Sequence, residues 1–257
     1  MNILDHVYLV GSGAIGLSHP GDCHVYLLDG GNELALIDAG CGIDADRILA
    51  NVAREGFDPA DIRYILLTHA HRDHAGGCNS LKGSLSRVGP PLLVASEPEA
   101  RLLAEGTSEE LGLDRLGLGD RLGLGDRPRP EVFPPCSADL VVSDGHILSI
   151  GELEIRAIQV PGHNPGCLCY FLTVDDRRTL FSGDVVFHGG VISVGNWPGC
   201  DLQAYQQGLK KLEGLAVDAL FAGHLLWTVS GGQEHIDKAI RAFKGLWPPP
   251  TIHQLYA

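Results

Sequence analysis

The chain has 257 residues, of which 44% are hydrophobic and 20% are charged, and its formal net charge is −13. This composition is typical of a globular protein long enough to bury a sizeable core, and it excludes an intrinsically disordered chain. Because the phosphates of a nucleic acid would be repelled by so negative a protein, we expect no nucleic-acid partner.

The cysteines and the N-terminal residues bear on the cellular compartment. Seven cysteines are scattered along the chain, and an odd, dispersed set does not resemble a disulfide framework. The first residues, Met-Asn-Ile-Leu-Asp-His, lack the basic and apolar segments of a signal peptide. No apolar stretch approaches the ~20 residues of a membrane-spanning helix. We therefore expect a protein of the reducing cytoplasm that does not associate with a membrane.

The first part of the chain alternates short apolar runs with turns. Residues 7–10, 24–28 and 33–37 are strand-like, and Asp-Gly-Gly-Asn at residues 29–32 predicts a β-hairpin between the last two runs. The first run is followed by a G-x-G sequence at residues 11–13. Because no helical pattern follows it, we interpret this segment as a glycine-rich loop rather than a dinucleotide site.

Two helices are predicted before residue 106. Apolar residues recur at helical spacing over residues 44–55, with Asp44 placed to cap the N-terminus. Ser96 and Glu99 have the spacing of a capping box, which predicts a second helix over residues 97–105.

A tandem repeat follows the second helix. Residues 114–126 read DRLGLGDRLGLGD, and the alternate glycines disfavour a stable helix. We interpret the repeat as a duplication that lengthens a surface loop over about residues 106–130. A proline-rich, extended segment comes next, at residues 128–135.

From residue 140 onward the pattern is strongly β, with two helical stretches near the end. The two halves of the chain, about residues 1–135 and 136–257, repeat a similar order of strands, helix and a strand that ends at histidine. Each half has too few strands to cover both faces of a sheet. We therefore expect an α+β fold in which two sheets stack in a single domain over residues 1–257, with helices outside. The predicted strands are residues 140–142, 147–150, 154–160, 168–173, 179–181 and 217–222, and the predicted helices are residues 202–212 and 233–243.

The densest polar motif lies just past an apolar run, in residues 64–77. It places His69, His71, Asp73 and His74 within six positions. Neutral imidazole and carboxylate are good ligands for zinc, and histidines two apart in an extended segment point to the same side. The motif therefore predicts a metal site, with Asp73 and His74 able to serve a second ion.

Three further candidates each follow or end a strand-like run. His163 lies in Pro-Gly-His-Asn-Pro-Gly, where proline and glycine favour a tight loop. Asp184 directly follows an apolar run, a costly place for a carboxylate without a cation. His224 ends the predicted strand 217–222, and Asp38 ends an earlier strand and could bind a ligand imidazole by a hydrogen bond.

Together these motifs resemble the metallo-β-lactamase superfamily over about residues 5–240. The resemblance implies an αββα four-layer sandwich with a dinuclear site at one edge of its sheets. It assigns His69, His71 and His163 to the first metal and Asp73, His74 and His224 to the second. Asp184 would bridge both ions, with Asp38 and Thr68 supporting the ligands.

The implied cofactor is two Zn²⁺ per chain, although iron or manganese would accept the same ligands. The implied reaction is hydrolysis of a small ester, thioester or lactone by a metal-bridging hydroxide, with Asp73 as the residue that orients it and moves a proton. The expected partner is a small carbonyl substrate. The sequence leaves a homo-oligomer open.

The expected substrate class rests on residues and segments that differ between branches of the family. Glyoxalase II-like thioesterases share all seven ligands but carry a long helical C-terminal domain, whereas 33 residues follow His224 here, so glutathione specificity is not expected. Lactonases use a tyrosine three residues after the bridging aspartate. That position is Phe187 here, which leaves His188 and Tyr205 as candidates for the substrate pocket, although Tyr205 also fits the core.

One other branch of the family remains as an alternative. Persulfide dioxygenases bind one iron with two histidines and the aspartate, and they can retain the other motif residues. A mononuclear-iron oxidoreductase is therefore the second hypothesis. β-Lactamases with the same histidine motif usually have serine where Asp184 stands and are exported, so antibiotic hydrolysis is not expected as the main role.

Overall fold

Two mixed β-sheets stacked face to face form the centre of the molecule. The computed structural model describes residues 1–85, 89–112, 135–245 and 247–255. The first sheet contains Asn2–Leu4 (β1), Val7–Gly11 (β2), Val25–Asp29 (β3), Leu34–Ile37 (β4), Ile62–Leu66 (β5), Leu92–Ser96 (β6) and Leu140–Val142 (β7). The second contains Ile147–Ile150 (β8), Leu153–Gln159 (β9), Leu168–Val174 (β10), Arg177–Gly183 (β11) and Ala219–Ala222 (β12).

Each sheet contains both antiparallel and parallel pairs of neighbouring strands. In the first sheet, β1 to β4 form an antiparallel meander and β4 to β7 run parallel. In the second, β8 to β11 are antiparallel and β12 pairs parallel to β11. β7 belongs to the first sheet, which therefore extends past residue 135.

Seven α-helices are found in the described residues, most of them on the outer faces of the sheets. The helices are Ala45–Arg54 (α1), Arg72–Ala75 (α2), Cys78–Ser84 (α3), Glu97–Glu105 (α4), Leu202–Leu209 (α5), Gly232–Phe243 (α6) and Ile252–Leu255 (α7). One core cluster joins the first sheet to α1, α3 and α4, and another joins the second sheet to α5 and α6.

A third cluster fills the space between the sheets. Tyr26 of the first sheet packs against Phe181 and Phe221 of the second, with ring centroids 5.2 and 5.4 Å away. The four layers are thus helix, sheet, sheet and helix, which confirms the predicted αββα sandwich. No helix in the described ranges is long and apolar enough to cross a bilayer.

Several local predictions are confirmed. The hairpin at residues 29–32 joins the antiparallel strands β3 and β4, and residues 12–24 form a loop, as the glycine-rich sequence predicts. Asp175 and Asp176 form the tight turn between β10 and β11 with φ of 48° and 61°, values that asparagine and aspartate tolerate best after glycine.

Other local predictions need correction. Asp44 stands at the N-terminus of α1, but its side chain makes no capping hydrogen bond. The capping box of α4 is wrong: the Ser96 hydroxyl donates to the carbonyl of Gly166, and Glu99 accepts hydrogen bonds from other loops. The predicted helix 202–212 ends as α5 at Leu209 and continues as a 3₁₀ turn. The hexapeptide repeat at 114–126 lies outside the described residues, as does the proline-rich segment up to residue 134.

Candidate metal centre

The histidine motif lies where β5 ends and a short helix begins. The chain leaves the sheet at Thr68, passes through His69 and His71, and enters α2, which carries Asp73 and His74. The other candidates also follow strands: His163 comes after β9, Asp184 after β11 and His224 after β12. Because these strand ends lie at one edge of the stacked sheets, the residues meet there.

Three imidazoles form the first cluster. His69 Nε2, His71 Nδ1 and His163 Nε2 are separated by 3.1, 2.9 and 3.1 Å, and all three side chains are buried. Nitrogens bound to one tetrahedral zinc at ~2.05 Å would be about 3.3 Å apart. The separation of these atoms is therefore close to that of a zinc site.

The hydrogen bonds around the rings indicate where the lone pairs point. His163 Nδ1 lies 2.9 Å from the carbonyl oxygen of Ser193, which can only accept, so Nδ1 carries the hydrogen and Nε2 is a lone pair. His69 Nδ1 likewise faces the Thr68 hydroxyl, which donates to Asp38. Two lone pairs then face each other across 3.1 Å between His69 and His163. A cation between them resolves this repulsion, so the residues fit a metal.

The second cluster consists of Asp73, His74 and His224. Asp73 Oδ2 lies 3.0 Å from His224 Nε2 and 3.7 Å from His74 Nε2. The two histidine Nε2 atoms are 3.3 Å apart. Both clusters are able to hold a metal ion, since each brings three ligand atoms of suitable type together.

Asp184 lies between the two clusters and faces each with a different oxygen. Its Oδ1 is 3.3 Å from His74 Nε2 and 3.6 Å from His224 Nε2, while its Oδ2 is 3.7 Å from His163 Nε2. Oδ1 is buried and makes no hydrogen bond within the described part of the chain. A buried carboxylate oxygen without a hydrogen bond is costly, and a cation in either cluster would satisfy it.

Asp38 and Thr68 support the second cluster through hydrogen bonds. Asp38 Oδ2 accepts from His74 Nδ1 at 2.8 Å, so His74 Nε2, which faces Asp184, is the atom that would bind a metal. Asp38 also accepts from the backbone N–H and the hydroxyl of Thr68. This is the arrangement of a carboxylate that orients a metal-binding imidazole.

The electrostatics differ between the two clusters. Burial, and then the neighbouring histidines, hold the pKa of His69 well below its usual value, and burial lowers the pKa of His163 to about 4. Burial alone would raise the pKa of Asp184, but His224 and His74 hold it well below the usual range. At neutral pH the rings of His69 and His163 are therefore neutral and Asp184 is ionised. In the second cluster burial lowers the pKa of His224, but Asp184 and Asp73 outweigh it and raise that pKa, and the pKa of His74 is raised as well, so a metal ion there would displace protons.

The three residues predicted for the substrate pocket are found in different surroundings. Phe187 is buried, with its ring centroid 6.5 Å from that of His224. His188 is exposed, and its ring packs at a tilt against that of His235 of α6, with ring centroids 4.1 Å apart. Tyr205 is buried in the core, where its hydroxyl donates to the carbonyl of Asp184 at 2.8 Å. Tyr205 thus touches the backbone of the predicted bridging residue.

Trp197 is a neighbour of the site that the sequence patterns did not reveal. Its ring centroid lies 6.1 Å from that of His71 and 5.4 Å from that of His163, and its Nε1 donates to the carbonyl of His163 at 2.9 Å. On another side, His253 of α7 lies 5.6 Å away. The available signal was a tryptophan in the segment Gly-Asn-Trp-Pro-Gly, residues 195–199, which follows Asp184.

Comparison with known proteins agrees with this fold and site. The chain matches the family model of the metallo-beta-lactamase superfamily over residues 19–224, and it belongs to that superfamily. Its members depend on metal, so the chain is a metal-dependent hydrolase by family as well as by ligand chemistry.

Two curated relatives are named as thioesterases. The chain is 28% identical over 202 residues to an atrochrysone carboxyl ACP thioesterase of Aspergillus fumigatus, covering 78% of this chain and 50% of the relative. It is 29% identical over 180 residues to the human acyl-coenzyme A thioesterase MBLAC2, covering 66% of this chain and 60% of the relative. The match thus spans between half and two thirds of the length of these thioesterases.

Solved structures show the same fold. A metallo-β-lactamase of Cronobacter sakazakii described by its HARLDQ motif superposes with a TM-score of 0.66 at 26% identity, covering 96% of this chain and 86% of that chain. The present chain reads His-Ala-His-Arg-Asp-His at residues 69–74.

Proposed function

We propose that the protein is a dinuclear zinc hydrolase that cleaves a small acyl thioester or a related ester or lactone. Asp184 carries the proposal, because its two carboxylate oxygens face the two ligand clusters separately. In this assignment the first ion is held by His69, His71 and His163. The second is held by Asp73, His74 and His224, and Asp184 joins both.

The open side of the centre indicates where substrate enters. The Asp73 side chain is 39% exposed and that of His224 is 25% exposed, whereas that of Asp184 is 8% exposed. A carbonyl substrate would therefore approach over Asp73 and His224. Trp197 stands beside the first cluster, where it would provide an apolar wall for the acyl group.

The chain's own residues account for the proton movements. When bound, the metal would supply Lewis acidity that lowers the pKa of a water molecule at the centre and polarises the substrate carbonyl. Asp73, the most exposed carboxylate of the centre, would take the proton released from water and deliver it to the departing thiolate. The balance is one thioester and one water giving one carboxylic acid and one thiol.

The relatives favour a thioester over an ester or a lactone as the substrate. Two of them are named as an atrochrysone carboxyl ACP thioesterase and an acyl-coenzyme A thioesterase. By resemblance, Asp184 favours this branch over β-lactamases with serine at that position. The relatives reported above give no support to the iron persulfide dioxygenase alternative.

A substrate and metal panel tests the proposal. The protein, loaded with zinc, manganese or iron, is assayed on short-chain acyl-coenzyme A thioesters, lactones, aryl esters and a chromogenic β-lactam. We expect two zinc ions per chain by elemental analysis and the highest kcat/KM on a thioester. One iron per chain with oxygen uptake on glutathione persulfide, or a preference for the β-lactam, would contradict the proposal.

The bridging role makes a separate prediction. Asp184→Ala should reduce the metal content below two ions per chain and lower thioester hydrolysis at least about 100-fold. Loss of a residue that only supports a metal ligand lowers activity by up to about 100-fold, so loss of a ligand should cost at least as much. The matched control is Asp46→Ala, since Asp46 is an exposed residue of α1 and is not one of the candidate ligands. Unchanged metal content and activity in Asp184→Ala would refute the bridging role.

A further inference from the structure

Glu99 is a buried carboxylate that contacts the two loops carrying the first cluster. It lies in the first turn of α4 and is 1% exposed. Its Oε2 accepts from the backbone N–H of Ala70 at 2.7 Å and from the side-chain amide of Asn164 at 2.9 Å. Its Oε1 accepts from the backbone N–H of Gly166 at 2.8 Å.

The positions of these donors are specific. Ala70 lies between His69 and His71, and Asn164 follows His163 directly. The donors therefore belong to one loop that leaves the first sheet and one that leaves the second. The carboxylate of Glu99 joins the backbones on which all three imidazoles of the first cluster stand.

Ser96, the residue just before α4, binds the second loop as well. Its hydroxyl donates to the carbonyl of Gly166 at 2.7 Å, so α4 contacts both the N–H and the C=O of that glycine. A Cβ on Gly166 would lie 2.2 Å from the Ser96 hydroxyl oxygen. The loop can therefore sit this close to α4 only with glycine at this position.

The chemistry of Glu99 is unusual for a residue that only packs a helix. A buried carboxylate costs several kcal/mol unless donors satisfy it, and an apolar side chain would fill the same space at lower cost. All three donors to Glu99 belong to the metal-site loops, and it forms no ion pair within residues 1–85, 89–112, 135–245 and 247–255. Its hydrogen bonds thus fix the separation of those loops.

We infer that Glu99 is a positioning residue that sets the spacing of His69 and His71 from His163 and so determines the affinity of the first metal position. The inference rests on the proposed function, because it takes the first cluster as a metal site. The second cluster is supported through Asp38, which does not contact Glu99, so its affinity should be independent of Glu99.

The informative variant is Glu99→Gln. Glutamine keeps the shape and one acceptor oxygen, but its amide nitrogen would face at least one of the N–H groups that the carboxylate accepts from. We expect the affinity of the first metal position for zinc to fall about 10- to 100-fold, the effect found for outer partners of metal ligands. Glu97→Gln is the matched control, because Glu97 is exposed on the same helix turn.

Single-site backgrounds separate the two positions. Zinc affinity is measured by competition with a chromogenic chelator in His224→Ala, which retains the first cluster, and in His163→Ala, which retains the second. Glu99→Gln should weaken binding in the first background and leave binding in the second unchanged. Glu99→Asp, which keeps the charge on a shorter side chain, should recover part of the affinity.

A purely structural role predicts a different pattern. If Glu99→Gln lowers the melting temperature yet leaves zinc affinity unchanged, or weakens both positions equally, the inference is overturned. If Glu99→Gln does not fold, Ser96→Ala is used, since it removes only the contact to Gly166, and a smaller loss confined to the first position is expected. Wild-type protein that binds no zinc would overturn the proposed function itself, a result distinguishable from the others.

Discussion

At the scale of single residues, hydrogen-bond partners decide which atom each histidine presents. His24 is an example outside the metal centre. Its Nε2 lies 2.9 Å from the carbonyl of Leu225 and its Nδ1 lies 2.9 Å from the Ser12 hydroxyl. Because the carbonyl can only accept, the neutral ring donates through Nε2 and accepts through Nδ1. His24 thereby holds the residue next to His224.

This environment makes stability depend on pH. Burial lowers the pKa of His24 to about 4, whereas the unfolded chain has the usual value of about 6.5. Below pH 6.5 the unfolded state binds a proton that the folded state does not bind until about pH 4. The free energy of unfolding should therefore decrease as pH falls through this range, by about 3 kcal/mol for this ring.

Urea unfolding of metal-free protein at several pH values checks this expectation. In His24→Gln, which keeps a donor for the carbonyl of Leu225, the loss of stability between pH 6.5 and pH 4 should be smaller than in wild type. His146→Gln, a change at an exposed histidine, is measured in parallel as the control. Identical pH dependence in wild type and His24→Gln would show that the ring titrates normally.

Single residues also show where sequence patterns succeed and fail. The candidate ligands could be identified because each lies in a short motif directly after an apolar run. Glu99 was misassigned because a capping box and a buried bridge between loops have the same spacing, and only the direction of the side chain distinguishes them. Trp197 gave no periodic signal, since a single loop aromatic has none.

At the scale of elements, the centre depends on how strands end. Asp38, Gly183 and Leu225 have φ of 62°, 50° and 63°, and each lies at or beside a strand end that carries a candidate ligand or its support. Positive φ costs roughly 1 kcal/mol or more for a residue with a side chain. A Cβ on Gly183 would lie 2.7 Å from the Thr68 side chain, so the close approach of β11 to the motif requires glycine.

The loop after β11 makes a prediction about substrate binding. Trp197→Ala removes the aromatic wall beside His163, and we expect KM for short-chain acyl thioesters to rise about 10-fold, equivalent to roughly 1.4 kcal/mol. Trp197→Phe retains the apolar surface and should change KM less. The rates are measured over a series of acyl chain lengths with the zinc content checked.

The matched control for Trp197→Ala is Trp247→Ala. Trp247 is 82% exposed and lines a groove with α5 and α6 on the outside of the second sheet. Its removal should leave KM unchanged. A fall in kcat with constant KM in Trp197→Ala would contradict a role in binding the acyl group.

At the scale of the whole molecule, the centre connects the two sheets. His69, His71, Asp73 and His74 follow a strand of the first sheet, while His163, Asp184 and His224 follow strands of the second. A metal held by both sets would link the two layers and stabilise the folded state, since the unfolded chain cannot assemble the same ligands.

Removal of metal should therefore lower the melting temperature. At a free zinc concentration 1,000 times the dissociation constant, one site contributes about 4 kcal/mol, which for a chain of this size corresponds to roughly 10 °C. Thermal unfolding of wild type is compared with and without EDTA, and zinc is then added back as the control. A melting temperature that EDTA does not change would show that the two layers are held without metal.

The sequence by itself determined the type and order of most of the longer elements and the identity of the candidate ligands, because apolar periodicity, turn residues and dense histidine motifs are local signals. Only the tertiary structure decided how these parts meet. His69 and His163 are 94 positions apart, and their contact depends on the stacking of two sheets through Tyr26, Phe181 and Phe221. The direction of each Asp184 oxygen and the bridge made by Glu99 likewise depend on packing between distant segments, which no local pattern encodes.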